Sequence, residues 1–465
     1  VIGCARNSNV DSSSVLKAQP GAGSLPPGIK NAFLFAVFNA LSFQVVLSSP
    51  MVLYAKSLGA SATVLGLLVG MMPLLVIFQI PAAQYVSRVG YKRFVYAGWG
   101  ARVSFIFVMA LVPVTYGFLN PTTQLALILA LLFGFNLSRG ISSAAWLPWI
   151  ASLVPPAVRG RYLAADAACV NTASFFSFLL AAFCLGAEPH PWRFTVLFGF
   201  SAVMGATSLV FLKRIPEADV PEEARTSTTP VPWREIAGYA PFQKLAKMVI
   251  VWSMAYGGMS AFTVAFLKTE VLMPEGEILL VSSVSFLGGL SSLWFLGSRL
   301  DSLGSKPVLT FSLITWLLVA AGWSLLAGRV WEPRLGLILG LQFLMGLFAA
   351  LIGMSITRLA MAIIPAMGRN HFFALFSVLG SVSLGLAPIF WGLLIDAVGQ
   401  WQVSWLGLEW NRYSIFFAAT AAVFAATLLR ARRLDEPEAA SMEDLLREIL
   451  IQSPQRVWVR LWPRE

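Results

Sequence analysis

Gly297-Ser-Arg-Leu-Asp301-Ser-Leu-Gly304-Ser-Lys306 stands between two long apolar runs. About 214 residues earlier, Ala83-Gln-Tyr-Val-Ser87-Arg88-Val-Gly90-Tyr-Lys92-Arg93 stands between two others. Both fit one frame: a small residue, Asp or Ser four positions on, Gly three further, and Lys two beyond. A second pair keeps the same order, Pro156-Ala-Val-Arg159-Gly160-Arg161 in the first half and Pro365-Ala-Met-Gly368-Arg369 in the second. Two matched turns at nearly one offset mean that the chain repeats itself, and parallel repeats of apolar segments point to two equivalent helical bundles.

The apolar runs decide what those bundles are embedded in. The 465 residues are 57% hydrophobic and 12% charged, with a mean hydropathy of +0.75, too few charges to cover a soluble surface of this size. Spans of about 20 residues or more, each long enough to cross roughly 30 Å of hydrocarbon, fall near 32–54, 62–86, 94–116, 122–151, 162–186 and 193–213. After a polar stretch they resume near 245–267, 277–299, 307–327, 335–363, 371–395 and 412–430. The expected fold is therefore an all-α membrane protein of twelve transmembrane helices in two pseudo-symmetric six-helix bundles. The expected domains are a disordered tail (1–29), a first bundle (30–214), a linker (215–243), a second bundle (244–433) and a tail (434–465).

The net charge of +11 raises the question of nucleic acid, and its distribution answers it. Arg88, Lys92, Arg93, Arg159, Arg161, Lys213, Arg214, Arg225, Arg234, Arg430, Arg432 and Arg433 all fall on one side of the predicted spans, the other side being sparser. That is the positive-inside pattern, a statement about orientation, and it places both termini and the linker in the cytoplasm. Val1-Ile2-Gly3-Cys4 reads like a lipidation box, but lipidation there puts the N-terminus outside, against this pattern. Cys169 and Cys184 lie roughly 22 Å apart along one helix, too far to bridge. No residue set is expected to hold a metal or a cofactor, and membrane lipid and a small solute are the expected partners.

At the repeated turns the chain resembles the major facilitator superfamily of transporters, over about 30–433. The family's turn is Gly-x-x-x-Asp-Arg/Lys-x-Gly-Arg-Arg/Lys. The second copy keeps Gly297, Asp301, Gly304 and Lys306; the first keeps Arg88, Gly90 and Lys92 but has Ala83 for the glycine and Ser87 for the aspartate. The resemblance implies that Asp301 meets the start of span 5, near Arg159 and Arg161, and helps hold the cytoplasmic gate shut. Ser87 faces the start of span 11, near Arg369, without charge. A carboxylate near a helix N-terminus gains up to about 1 kcal/mol from the dipole, so the gate is expected to be stronger on the Asp301 side; alternatively these basic residues only set topology. The resemblance also implies a monomer, multi-pass in a bacterial-type inner membrane. Gly392-x-x-x-Asp396-x-x-Gly399 repeats part of the frame on the external side, where Asp396 is expected to close the end of span 11.

Ionisable residues inside spans are costly and mark function by default. Arg139 lies near the middle of span 4, and Asn136, Arg139, Gly140 and Ser143 share one face at i, i+3, i+4 and i+7. Arg139 either binds solute or coupling charge or bonds backbone carbonyls. Arg102 in span 3 either serves function or snorkels, and Arg358 reads as structural. Span 1 carries Asn39, Ser42 and Ser49, and span 7 carries Ser253, Tyr256, Ser260 and Thr263, at matching helical spacing. The resemblance places these helices around a central cavity, which makes Asn39, Ser42, Ser253 and Tyr256 solute contacts; otherwise they join helices. Gln44, Gln79, Asn171 and Gln342 are weaker members of this set.

No Asp or Glu falls near the middle of a span, Asp166 being close to the start of span 5. Two buried arginines without a central carboxylate favour an anionic solute, with coupling by exchange, through Asp166, or absent. A neutral, sugar-like solute is the alternative. Two other classes compete. A membrane enzyme lacks an acid, base and nucleophile cluster, its two histidines lying near connections. A non-transporting or lipid-handling relative draws support from the altered first turn. The tail supports it too, where Ser441 and Asp444 start an amphipathic helix of Met442, Leu445, Leu446, Ile449 and Leu450.

Overall fold

The structure, a computed structural model, describes residues 28–155, 159–187, 189–218, 238–295, 305–363, 369–405 and 407–434. Its helices give spans 1 (Lys30–Leu47 with Ser49–Ser57), 2 (Ala62–Leu74, a 3₁₀ turn Leu75–Phe78, then Gln79–Val89), 3 (Tyr91–Leu111), 4 (Pro121–Leu153), 5 (Arg159–Leu185) and 6 (Pro191–Arg214). The second half gives spans 7 (Ala240–Tyr256 with Met259–Thr269), 8 (Glu275–Phe295), 9 (Ser305–Ala327), 10 (Leu335–Ile363), 11 (Arg369–Val398) and 12 (Arg412–Ala431). Eleven of these are long and apolar enough to cross a membrane among the described residues, and span 8 fills the twelfth place.

Helix ends are written in the sequence. Asn120 accepts from Thr123 N at 2.7 Å just before Pro121 and so caps span 4. Asn411 caps span 12 with a reciprocal Ser414 contact. Pro73 removes a helix donor in span 2, and the chain tightens into a 3₁₀ turn directly after it. Spans 1 and 7 are both broken, a feature the apolar pattern did not foretell. Ser48 leaves helical geometry ahead of Pro50, and Gly257-Gly258 separates the two parts of span 7.

The packing repeats itself. Span 1 packs on spans 5 and 6 as span 7 packs on spans 11 and 12. Spans 3 and 4 pair as 9 and 10 do, span 3 meets span 6 as span 9 meets span 12, and span 2 meets span 4 as span 8 meets span 10. The halves touch through two crossings that exchange under the same symmetry, span 2 with span 11 and span 5 with span 8, and through the second parts of spans 1 and 7. Outward-facing side chains such as Leu111, Phe118 and Phe183 stay exposed, as lipid contact allows.

A two-stranded hairpin, Val403–Trp405 with Leu408–Trp410, precedes span 12. Asn411, buried at its end, accepts from Tyr413 N and Ser414 N, each at 3.0 Å, and donates to Ala327 O at 2.7 Å. It thus ties the start of span 12 to the end of span 9. Asn411→Ala should lower stability by about 2 kcal/mol, the upper end for a lost cap, read as a fall in the thermal midpoint of the purified protein. An unchanged midpoint would show that the hairpin alone sets this corner.

Candidate functional site

Span 4 presents three different faces. Gly140 and Ser143 turn to span 2: a Cβ at 140 would collide with the Leu75 carbonyl, and Ser143 Oγ reaches Gln79 Oε1 at 3.5 Å. Phe135 and Ser142 turn to span 3. Arg139 falls between these faces by helical position, half-buried, and its guanidinium has no hydrogen-bond or ion-pair partner among the described residues.

Arg102, on span 3, is 4% exposed. Its guanidinium carbon stands 4.6 Å from the Trp99 ring centre and 4.9 Å from that of Phe135, and its Nε is buried without a partner. The first bundle therefore holds two arginines, Arg102 between aromatic faces and Arg139 on span 4, and neither is paired with a carboxylate among the described residues. An uncompensated buried cation is expensive, so the arrangement favours whatever anion can reach it.

The small polar residues divide. Asn39 accepts from Trp99 Nε1 at 3.3 Å and so holds the ring beneath Arg102. Ser42 is committed to the span 1–span 6 interface: Ser201 Oγ donates to its carbonyl at 2.8 Å, and the two hydroxyls are 3.4 Å apart. Asn136 donates to Leu132 O at 2.9 Å and leaves Oδ1 buried and unpaired. Gln44 Nε2 donates to Ser174 Oγ on span 5 at 2.9 Å, and Ser253 is buried in span 7.

Between the halves lies a cavity of about 200 Å³ lined by Asn171 of span 5 and, in the second half, Tyr256, Ser260, Ser285, Trp316 and Gln342 among others. None of its lining residues is charged. Tyr256 is stacked on Trp252 at 5.2 Å and meets Trp316 edge-on at 5.5 Å. Trp316 Nε1 is buried without an acceptor. Asn171, Ser260 and Gln342 belong to the polar set read from sequence. Trp316 and Ser285 do not, because one indole in an apolar helix carries no periodic signal.

The faces of the molecule differ. On the face opposite the described chain ends, the halves are in contact along spans 2 and 11, where Gly66, Gly70, Gly385 and Gly392 leave no room for a Cβ between facing backbones. Asp396 does not close its own helix, as the sequence led us to expect. Its carboxylate accepts from Ala62 N at 3.0 Å and Thr63 N at 2.7 Å, at the start of span 2. The close Gly392 crossing brings that helix start within reach.

Of the turn residues, Gly90 has φ +87°, a conformation that an L side chain rarely adopts, and joins spans 2 and 3. Arg88 is exposed and Lys306 is half-buried. Gly297, Asp301 and Gly304, and the side chains of Ser87, Arg159, Arg161 and Arg369, lie outside the described residues, as does the helix expected after Ser441.

A sequence model of the Major Facilitator Superfamily matches residues 32–274, spans 1 to 7 and more than half the chain. The chain belongs to the major facilitator superfamily. The described folds of that superfamily extend over both halves. A D-xylose-proton symporter is 12% identical with a TM-score of 0.70, covering 89% of this chain and all of its own. The inward-open xylose transporter XylE from E. coli is 15% identical with a TM-score of 0.63, covering 90% and 97%. The human organic anion transporter MFSD10 is 14% identical with a TM-score of 0.58, covering 87% and 100%. No curated protein matches the chain. As a superfamily member the protein is an integral, multi-pass membrane transporter of solutes.

Proposed function

We propose that this transporter works by alternating access and carries a small organic solute with an anionic group, bound by Arg139 with Arg102 behind it. The observation that carries the proposal is the pair of guanidinium groups without a carboxylate among the described residues. Trp316 Nε1, a buried donor without an acceptor, calls for a solute oxygen from the other half, which a carboxylate or a hydroxyl can supply. The contacts along spans 2–11 and 5–8 support a state closed at one face, and the basic turns support that face being external. The bundles are then 30–214 and 244–433, joined by a cytoplasmic linker at 215–243, with tails at 1–29 and 434–465, the chain acting as a monomer in an inner membrane.

The uncharged cavity around Tyr256, Trp316 and Gln342 favours a second reading, a neutral hydroxylated solute. Thermal midpoints of the detergent-purified protein against panels of organic anions and of neutral sugars and nucleosides separate the two. A solute that binds only the folded state raises the midpoint by mass action. Stabilisation by one anion class is the expected result. Stabilisation by neutral solutes alone, lost in Gln342→Ala by about tenfold in affinity for a lost buried hydrogen bond, would overturn the anion reading.

A further inference from the structure

The four donors at the start of span 2 are shared between the halves. Leu65 N bonds Ser61 O at 3.0 Å inside the helix, and Val64 N bonds the N-cap hydroxyl of Ser61 at 3.3 Å. The remaining two, Ala62 N and Thr63 N, have the Asp396 carboxylate of span 11 as their acceptor. The ion pairs of this face among the described residues, Lys268–Glu275, Arg412–Glu270, Arg329–Glu409 and Arg334–Glu332, join residues of the second half to each other. Among the described residues of this face, Asp396 is thus the charged side chain that bonds across the halves.

We propose that Asp396 is the external latch of the transport cycle, closing the outer face by capping span 2 and releasing it when the halves part. This rests on the alternating-access reading. Three features fit a latch and not a permanent bond. Asp396 is exposed, so water replaces the lost partners as the helices separate. Gly392, one turn earlier on the same face of span 11, brings the backbones together, because any Cβ there meets Ala62 O and Thr63 Cα. Deeper in the same outer half, buried Ser49 of span 1 and Ser282 of span 8 touch across the halves at 3.4 Å, so opening exposes both.

The test reads opening directly and needs no solute. In the full-length protein with Cys4, Cys169 and Cys184 replaced by Ser, Ser282→Cys is labelled with a membrane-impermeant maleimide from outside. Ser282 is 6% exposed, so labelling requires the outer face to open. Asp396→Asn should raise the labelling rate roughly three- to tenfold, the size of a lost charged cap. Thr63→Pro removes the Thr63 N–H and its hydroxyl from the carboxylate at a first-turn position where proline is tolerated, and should raise it similarly, with little further gain when combined with Asp396→Asn. Thermal midpoints of both variants verify that they fold. Labelling that is present in the parent and unchanged in both variants would overturn the latch alone. Labelling raised by Asp396→Asn but not by Thr63→Pro would assign the effect to charge and overturn the capping role. No labelling in any variant would overturn alternating access, and the latch with it.

Discussion

Arg139→Leu should weaken solute binding roughly 10- to 100-fold while leaving the empty protein as stable as the parent, or more stable. The two effects have opposite signs for one reason. The guanidinium is half-buried with no protein partner among the described residues, so in the empty protein it contributes desolvation cost without a bond. Replacing buried charge with apolar volume is often neutral or stabilising by about 1–4 kcal/mol. With solute present, the same change removes a charge-assisted bond of about 1.5–3 kcal/mol, a loss of roughly 10- to 100-fold in affinity. Thermal midpoints with and without the stabilising anion, together with uptake into proteoliposomes, measure both. Arg139→Lys should keep part of the affinity, because it retains charge but loses the planar fork. A fall of 3–5 kcal/mol in the empty Arg139→Leu protein would instead mean that the arginine holds the bundle together, and would remove it from the solute site.

Gly66→Ala and Gly346→Ala should both impair transport, but through different losses. At Gly66 the added Cβ meets the Pro388 carbonyl across the two halves, whereas at Gly346 it meets the Ser285 backbone between spans 8 and 10 of one half. A collision inside one bundle has no relief, so Gly346→Ala should cost about 1–3 kcal/mol of stability. A collision between halves is relieved when they part. Gly66→Ala should therefore keep a midpoint near that of the parent, slow transport at least about tenfold, a shift of some 1.4 kcal/mol toward the outward-open state, and raise outer labelling of Ser282→Cys. Equal losses of midpoint in the two variants would show that the span 2–span 11 crossing does not open.

The glycines illustrate how far sequence reading reaches. Gly380, Gly385, Pro388 and Gly392 are visible as a cluster in span 11, yet nothing in their spacing says that Gly385 and Gly392 face span 2. From sequence Asp396 reads as the end of its own helix, since its partners Ala62 and Thr63 lie 334 and 333 residues away. Asn39 and Ser42 sit one turn apart in a polar stripe that suggested a common cavity. One supports the Trp99 ring and the other joins span 6. Trp316, central to the cavity of the second half, carries no signal at all in an apolar helix.

Sequence alone determined the membrane class, the twelve spans and the duplication into two bundles. These follow from properties that accumulate along the chain: apolar length, caps and prolines at helix ends, and turns repeated at one offset. Tertiary structure alone decided which polar atoms meet. A helix surrounded by lipid and by other apolar helices is hydrophobic on every side, so its pattern does not mark which face meets a neighbour. The Arg102 cradle, the cavity at Tyr256 and Trp316, and the reach of Asp396 to span 2 therefore appear only once the helices are packed.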